Sequence, residues 1–213
     1  NQAKEFFPKF LQKKAIILPN SLNTAFLNVH KSSEEKKEII TVGRIDDNKN
    51  QSMLVKTFGE IATNYPDWVL RLYGNGEKKE ELESYVKTKG LENQIFFMGE
   101  VSDIQNSMKD SAIFVLPSKQ EGMPNALIEA MTLGLAVIST DCPCGGPTDL
   151  ITNGENGILI PVDDRKALKN SLEKLMDDSN YRKKIGEDAK KIVERLHPDI
   201  VNKMWKEYLE KLL

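Results

Sequence analysis

The chain has few of the residues on which familiar catalytic sites are built. Its 213 residues include two histidines and two cysteines, and aromatic residues make up 7%. His30 and His197 lie far apart in sequence, so neither a histidine metal cluster nor a Ser/His triad is supported. Cys142 and Cys144 have one proline between them. They cannot complete a four-ligand zinc site, a disulfide across that spacing would be strained, and they read as reduced thiols in a cytosolic protein. No apolar run approaches the ~20 residues of a membrane span, and no charged-then-apolar leader is visible. The formal net charge of -2 gives no case for nucleic acid or an anionic membrane as partner. A G-x-S-x-G elbow and a Walker loop are also missing. The adjacent Asp pairs at 46/47, 163/164 and 177/178 alternate faces and make no metal clamp. The chain opens on Asn1 rather than Met, which suggests an excised piece.

What is present is the balance of a folded protein, with 39% hydrophobic and 29% charged residues. Glu5 to Leu11 reads as the end of an element broken by Pro8. Ala15-Ile16-Ile17-Leu18 is strand-like, and Pro19-Asn20-Ser21 follows as a turn. Lys31 to Glu38 is charged and without periodicity, which predicts a linker and places a domain boundary at the end of residues 1–38.

From Ile39 onward, short β-rich runs alternate with amphipathic stretches. The predicted strands are Ile39 to Val42, Trp68 to Tyr73, Ile95 to Phe97, Ala112 to Leu116, Ala136 to Ser139 and Gly157 to Ile160. Helical spacing separates them: Leu54, Val55, Phe58, Ile61, Ala62 and Tyr65 form one stripe, and a charged helix runs from Glu77 to about Lys89. Units of this kind imply parallel crossovers, hence an α/β fold with a doubly wound, Rossmann-like parallel sheet of about six strands, helices on both faces and further helices at the C-terminus. Three helices are expected after the last strand. The terminal one carries an apolar stripe of Ile200, Val201, Met204, Trp205, Tyr208, Leu209 and Leu212 that needs a surface to cover it.

In such sheets ligands bind beyond the carboxyl ends of the strands, where strand order reverses. Arg44 and Lys49, in the first loop there, could hold a diphosphate, Arg44 through its planar fork and Lys49 as a point charge, or be solvated surface residues. Gly74-Asn75-Gly76 lacks the third glycine of a dinucleotide fingerprint, since Lys79 stands in its place. It is either a tight turn or a point of close backbone approach to a ligand. The densest stretch runs from Lys119 to Met131. Pro124 suits the first position of a helix there, whose first turn has no acidic side chain and leaves backbone N–H groups open to phosphate. Asn125, Glu129 and Thr132 share one face of that otherwise apolar helix. Glu121 and Glu129 are then either solvated carboxylates or ligand contacts, because a buried carboxylate needs hydrogen-bond donors and sugar or ribose hydroxyls supply them.

These residues, taken together, resemble the C-terminal, donor-binding domain of retaining glycosyltransferases of family 4, the GT-B group also called glycosyl transferases group 1. The resemblance covers roughly residues 39–213. It rests on Val42-Gly43-Arg44 with Lys49-Asn50, Tyr73-Gly74-Asn75-Gly76, Phe97-Met98-Gly99, and Pro117-Ser118 leading to the spaced pair Glu121/Glu129. The lead-in Ile16-Ile17-Leu18-Pro19-Asn20 is similar to the interdomain crossover of that group. The resemblance implies one half of a GT-B fold, with residues 39–213 as the nucleotide-sugar domain and no metal or other cofactor. Arg44 and Lys49 would hold the diphosphate, with Gly43 and Gly74 beside it, Glu121 would contact the donor sugar, and Glu129 the ribose hydroxyls. Gly122, Met123, Pro124 and Asn125 would touch sugar and phosphate, and Phe97 to Val101 would lie near the base.

Departing phosphate would act as base, with no protein nucleophile. An aromatic often stands in that group where this chain has Met123; the form with methionine is similar to enzymes of bacterial capsule, O-antigen or glycan assembly that use UDP-sugars. The implied partners are a nucleotide sugar, a missing N-terminal acceptor domain and a saccharide or lipid-linked acceptor, the full-length enzyme working in the cytoplasm or at the inner membrane. A stand-alone nucleotide-sugar binding module and a GT-B sugar-nucleotide epimerase are the alternatives.

Overall fold

Six strands form one parallel sheet in the order β3-β2-β1-β4-β5-β6 in a computed structural model that describes residues 2–32 and 34–211. The strands are β1 (Lys36–Val42), β2 (Val69–Tyr73), β3 (Ile95–Gly99), β4 (Ser111–Leu116), β5 (Ala136–Thr140) and β6 (Ile158–Ile160). Strand β1 pairs with β2 on one side and β4 on the other, both in parallel. Every residue of β4 and β5 is buried. Their unbroken apolar runs follow from that, since helices cover both faces and leave no wet side to demand alternation.

The helices begin with two short turns, α1 (Gln2–Glu5) and α2 (Lys9–Gln12), then α3 (Gln51–Ile61), α4 (Lys79–Thr88), α5 (Ile104–Met108), α6 (Asn125–Thr132) and α7 (Gly146–Leu150). After β6 come α8 (Arg165–Asp177), α9 (Ser179–Lys190), α10 (Val193–Leu196) and α11 (Pro198–Glu210). The period-2 alternation of each strand splits the interior into two cores. Ile39, Leu70, Leu72, Ile113 and Val115 pack on one face with α3, α4 and α8. Ile40, Phe114, Leu116 and Val137 pack on the other with α6.

Several expectations are corrected. Strand β1 begins at Lys36, so Lys36-Lys37-Glu38 extends the sheet rather than a linker. Glu38 is buried, accepting from Arg71 Nε at 2.5 Å and Ser111 Oγ at 2.6 Å; a charge whose partners lie on other strands looks like loop in a local reading. Ala15 to Leu18 forms no strand. Further on, Leu22 and Phe26 are buried in the second core, and Leu22 N–H donates to Leu196 O at 3.0 Å. The five-residue helices α5 and α7 were not anticipated.

Among the described residues four helices, not three, follow β6, because the stripe from Tyr181 to Val193 is divided between α9 and α10. On α11 only Val201 of the apolar stripe is buried, and Ile200, Met204, Trp205 and Leu209 are exposed. Leu212 of that stripe and Ser33 of the expected linker lie outside the described residues.

Candidate functional site

Strand order reverses between β1 and β4, so the loops leaving these two strands diverge and open a crevice at the carboxyl edge of the sheet. The first wall is backbone. Gly43 N–H donates to Tyr73 O and Ile45 N–H to Asn75 O, each at 2.9 Å. A Cβ on Gly74 or Gly76 would fall onto the carbonyl of Gly43 or Ile45, so the G-x-G is where two loops touch. The close approach left open by the sequence is therefore to the neighbouring loop's backbone. Beside it lies a cleft of about 580 Å³, lined by Gly43, Arg44, Gly74, Gly99 and Val101 among others. Phe97 stands apart from this wall. It packs against the first core on the same face of β3 as Ile95, two residues earlier, whereas Val101 lies past the end of the strand in the cleft.

The second wall is the loop after β4. Glu121 N–H donates to Pro143 O at 2.7 Å and Cys144 N–H to Glu121 O at 3.0 Å, tying this loop to the one after β5. Gly146 is required there, since a Cβ would land on the Gly122 carbonyl. Cys142 and Cys144, in the β5 loop, are free thiols. Lys119 N–H donates to Asn48 O at 2.7 Å and joins this wall to the first.

Across the crevice Lys49 Nζ meets Glu121 Oε1 at 2.6 Å, and Ser118 Oγ donates to the same oxygen at 2.6 Å. Glu121 is only 8% exposed, so the pair replaces solvation that burial removes. On the β1 side, Asp46 Oδ2 accepts from Arg44 Nε at 2.5 Å and Oδ1 from Lys49 N–H at 2.7 Å. Burial by itself would raise the Asp46 pKa, but the Lys49 N–H and the Arg44 guanidinium outweigh it and hold the carboxyl below its ordinary value. The sequence-predicted Arg44, Lys49 and Glu121 are thus brought together.

Helix α6 starts one residue later than expected. Pro124 is the N-cap, with φ -78° and ψ 101°, and offers no side-chain acceptor to the first turn. Thr132 donates to Ile128 O and is satisfied within its own helix. Glu129 is half-buried, and its carboxylate makes no hydrogen bond or ion pair with another described residue. Desolvation pushes its pKa up from 4.5 to about 7. Asn20, from the lead-in segment, donates through Nδ2 to Asn125 Oδ1 and through its N–H to Met123 Sδ, each at 3.0 Å. Among the described residues no group of three or more His, Cys, Asp or Glu is arranged to hold a metal ion, and no helix is long and apolar enough to cross a membrane.

The family model described as glycosyl transferases group 1 matches residues 23–192. The chain belongs to that family. A Campylobacter jejuni relative, a GalNAc-alpha-(1->4)-GalNAc-alpha-(1->3)-diNAcBac-PP-undecaprenol alpha-1,4-N-acetyl-D-galactosaminyltransferase, is 28% identical over 88% of this chain and 52% of its own length. The crystal structure of the C-terminal domain of a glycosyl transferase group 1 protein from Francisella tularensis superposes with TM-score 0.69 and 27% identity, over 84% of this chain and 95% of that one. Anabaena HepE in complex with UDP superposes with TM-score 0.76 and 23% identity, over 83% of this chain and 49% of that one, a likeness of fold. The chain spans about half the length of the curated relatives it matches.

Within this glycosyl transferases group 1 chain, sequence reasoning passed over Asp46, the Ser118 hydroxyl, Asn20 and Gly146 as parts of the site. In the sequence Asp46 is one of an adjacent Asp pair whose side chains alternate faces. Its one local signal is its place three residues before Lys49, the spacing at which a capping Asp side chain accepts a backbone N–H. The Asn20 contacts span more than a hundred residues and have no local signature.

Proposed function

We propose that this chain is the donor-binding half of a retaining glycosyltransferase. In this reading the whole enzyme moves a hexose or N-acetylhexosamine from a UDP-sugar to a saccharide or lipid-linked acceptor in bacterial surface polysaccharide synthesis. The observation that carries the reading is the meeting of Lys49 with Glu121 across the switch-point crevice, with Arg44 beside them at the cleft rim. A lysine ammonium has three donors, and one is used on Glu121, which leaves two for phosphate oxygens. Arg44 is held through Nε alone, so both terminal nitrogens are free to engage the other phosphate.

Two cations placed there would offset the charge that develops on the departing diphosphate without a metal. The open first turn of α6 adds backbone N–H donors beside them. Glu129, with no partner of its own, would accept from the ribose hydroxyls, and Glu121 would contact the donor sugar. No protein nucleophile is assigned; the leaving phosphate would take the acceptor's proton on the face it departs from.

The exposed apolar residues of α11, with Ile16 and Ile17, support a second domain as the acceptor-side partner. The diphospho-undecaprenol acceptor in the Campylobacter enzyme's name and the UDP in the Anabaena structure support the acceptor and donor classes. On this reading the whole enzyme would work in the cytoplasm or at the cytoplasmic face of the inner membrane, where a lipid-linked acceptor would be met. Thermal melting across a panel of UDP-, GDP- and ADP-sugars tests the reading, since a ligand that binds only the folded state raises the melting temperature. UDP-sugars are expected to give the largest shift; no shift with any nucleotide sugar contradicts the reading.

A further inference from the structure

Asp46 is 8% exposed, and its carboxylate accepts from the Arg44 guanidinium Nε and from the backbone N–H of Lys49. Through Oδ1 it fixes the Lys49 backbone, and its own carbonyl accepts from Asn50 N–H at 3.0 Å, closing the turn that aims Lys49 across the crevice. Through Oδ2 it takes Arg44 Nε, although the Arg44 side chain is otherwise 76% exposed. An arginine that exposed samples many rotamers, and losing them on binding costs affinity. Held at Nε, its terminal nitrogens are presented as a preformed fork, the geometry that matches a pair of phosphate oxygens.

Resting on the diphosphate reading above, we propose that Asp46 is the positioning residue of the donor diphosphate, holding Arg44 and Lys49 in binding geometry without touching the ligand. The sign of its effect separates this from a plain charge contribution. The site brings two cations, Arg44 and Lys49, together with two carboxylates, Asp46 and Glu121, and no net positive charge remains to draw an anion. If Asp46 acted only as a nearby negative charge, removing it would strengthen diphosphate binding. If it positions the cations, removing it weakens binding.

The test is calorimetric titration of this chain with UDP and, separately, with uridine, for wild type, Asp46→Ala, Asp46→Asn, Arg44→Ala, Lys49→Ala and the Asp46→Ala/Arg44→Ala double variant. Asp46→Ala is expected to weaken UDP roughly tenfold, the scale of hydrogen bonds to charged groups, and to leave uridine unchanged. Asp46→Asn keeps an acceptor for the Lys49 N–H and is expected to show the same selectivity with a smaller loss, which keeps the test available if the alanine variant does not fold. In an Arg44→Ala background the further loss from Asp46→Ala is expected to shrink, because one of the two positioned groups is gone. UDP affinity that is unchanged or increased in both Asp46 variants, equal losses for UDP and uridine, or a fully additive double variant overturns the proposal. Unaltered UDP affinity in both Arg44→Ala and Lys49→Ala would instead overturn the diphosphate reading, so the two failures are distinguishable.

Discussion

Glu121 and Glu129 stand eight residues apart, one in the loop that leaves β4 and the other on the helix that follows, and their surroundings are opposite. The loop carboxylate has two partners, Lys49 and Ser118, in a setting tied by backbone bonds to the loops on either side. The helix carboxylate is half-buried among apolar neighbours with none, and desolvation raises its pKa to about 7. The same residue type therefore does two different things in one motif. Glu121 is satisfied by the protein and helps build the site, whereas Glu129 has an unmet need for donors that a bound ligand would fill.

Breaking the supported carboxylate should have the larger effect. Lys49→Ala leaves Glu121 buried without its cation, and after allowance for the part-exposed lysine we expect a loss of about 2 kcal/mol in urea unfolding. Ser118→Ala removes a neutral donor to the same oxygen and should cost about 1 kcal/mol by the same measurement. If both changes are silent, Glu121 is no better supported than Glu129 and the contrast fails.

Glu129 should respond to pH instead. Its pKa is higher folded than unfolded, so the folded state binds the extra proton and the chain loses stability as pH rises from 4.5 through about 7. Glu129→Gln removes that titration. The variant should melt close to wild type near pH 5 and above it at pH 8. A melting difference that does not change with pH would show that Glu129 is not the desolvated group described here.

The sequence already carried much of the frame. Apolar runs separated by helical spacing indicated a six-stranded parallel sheet, and the loops at its carboxyl edge already held Arg44, Lys49 and Glu121. What stayed hidden was pairing at a distance. The start of β1 is masked in the sequence because Glu38 reads as a loop charge until Arg71 and Ser111, on the neighbouring strands, are seen to donate to it. The lead-in segment looked independent until Leu22 and Phe26 were seen buried beneath it and Asn20 bonded to the tip of the β4 loop. Phe97 illustrates the converse: the motif was legible, but the facing of one residue depends on strand register and covering helices.

The central claim is that the crevice between β1 and β4 is a diphosphate site, and titration calorimetry with UDP tests it most directly. Arg44→Ala and Lys49→Ala should each weaken UDP binding by about 1–3 kcal/mol, as expected for charge-assisted hydrogen bonds. Unchanged affinity in both variants would contradict the account.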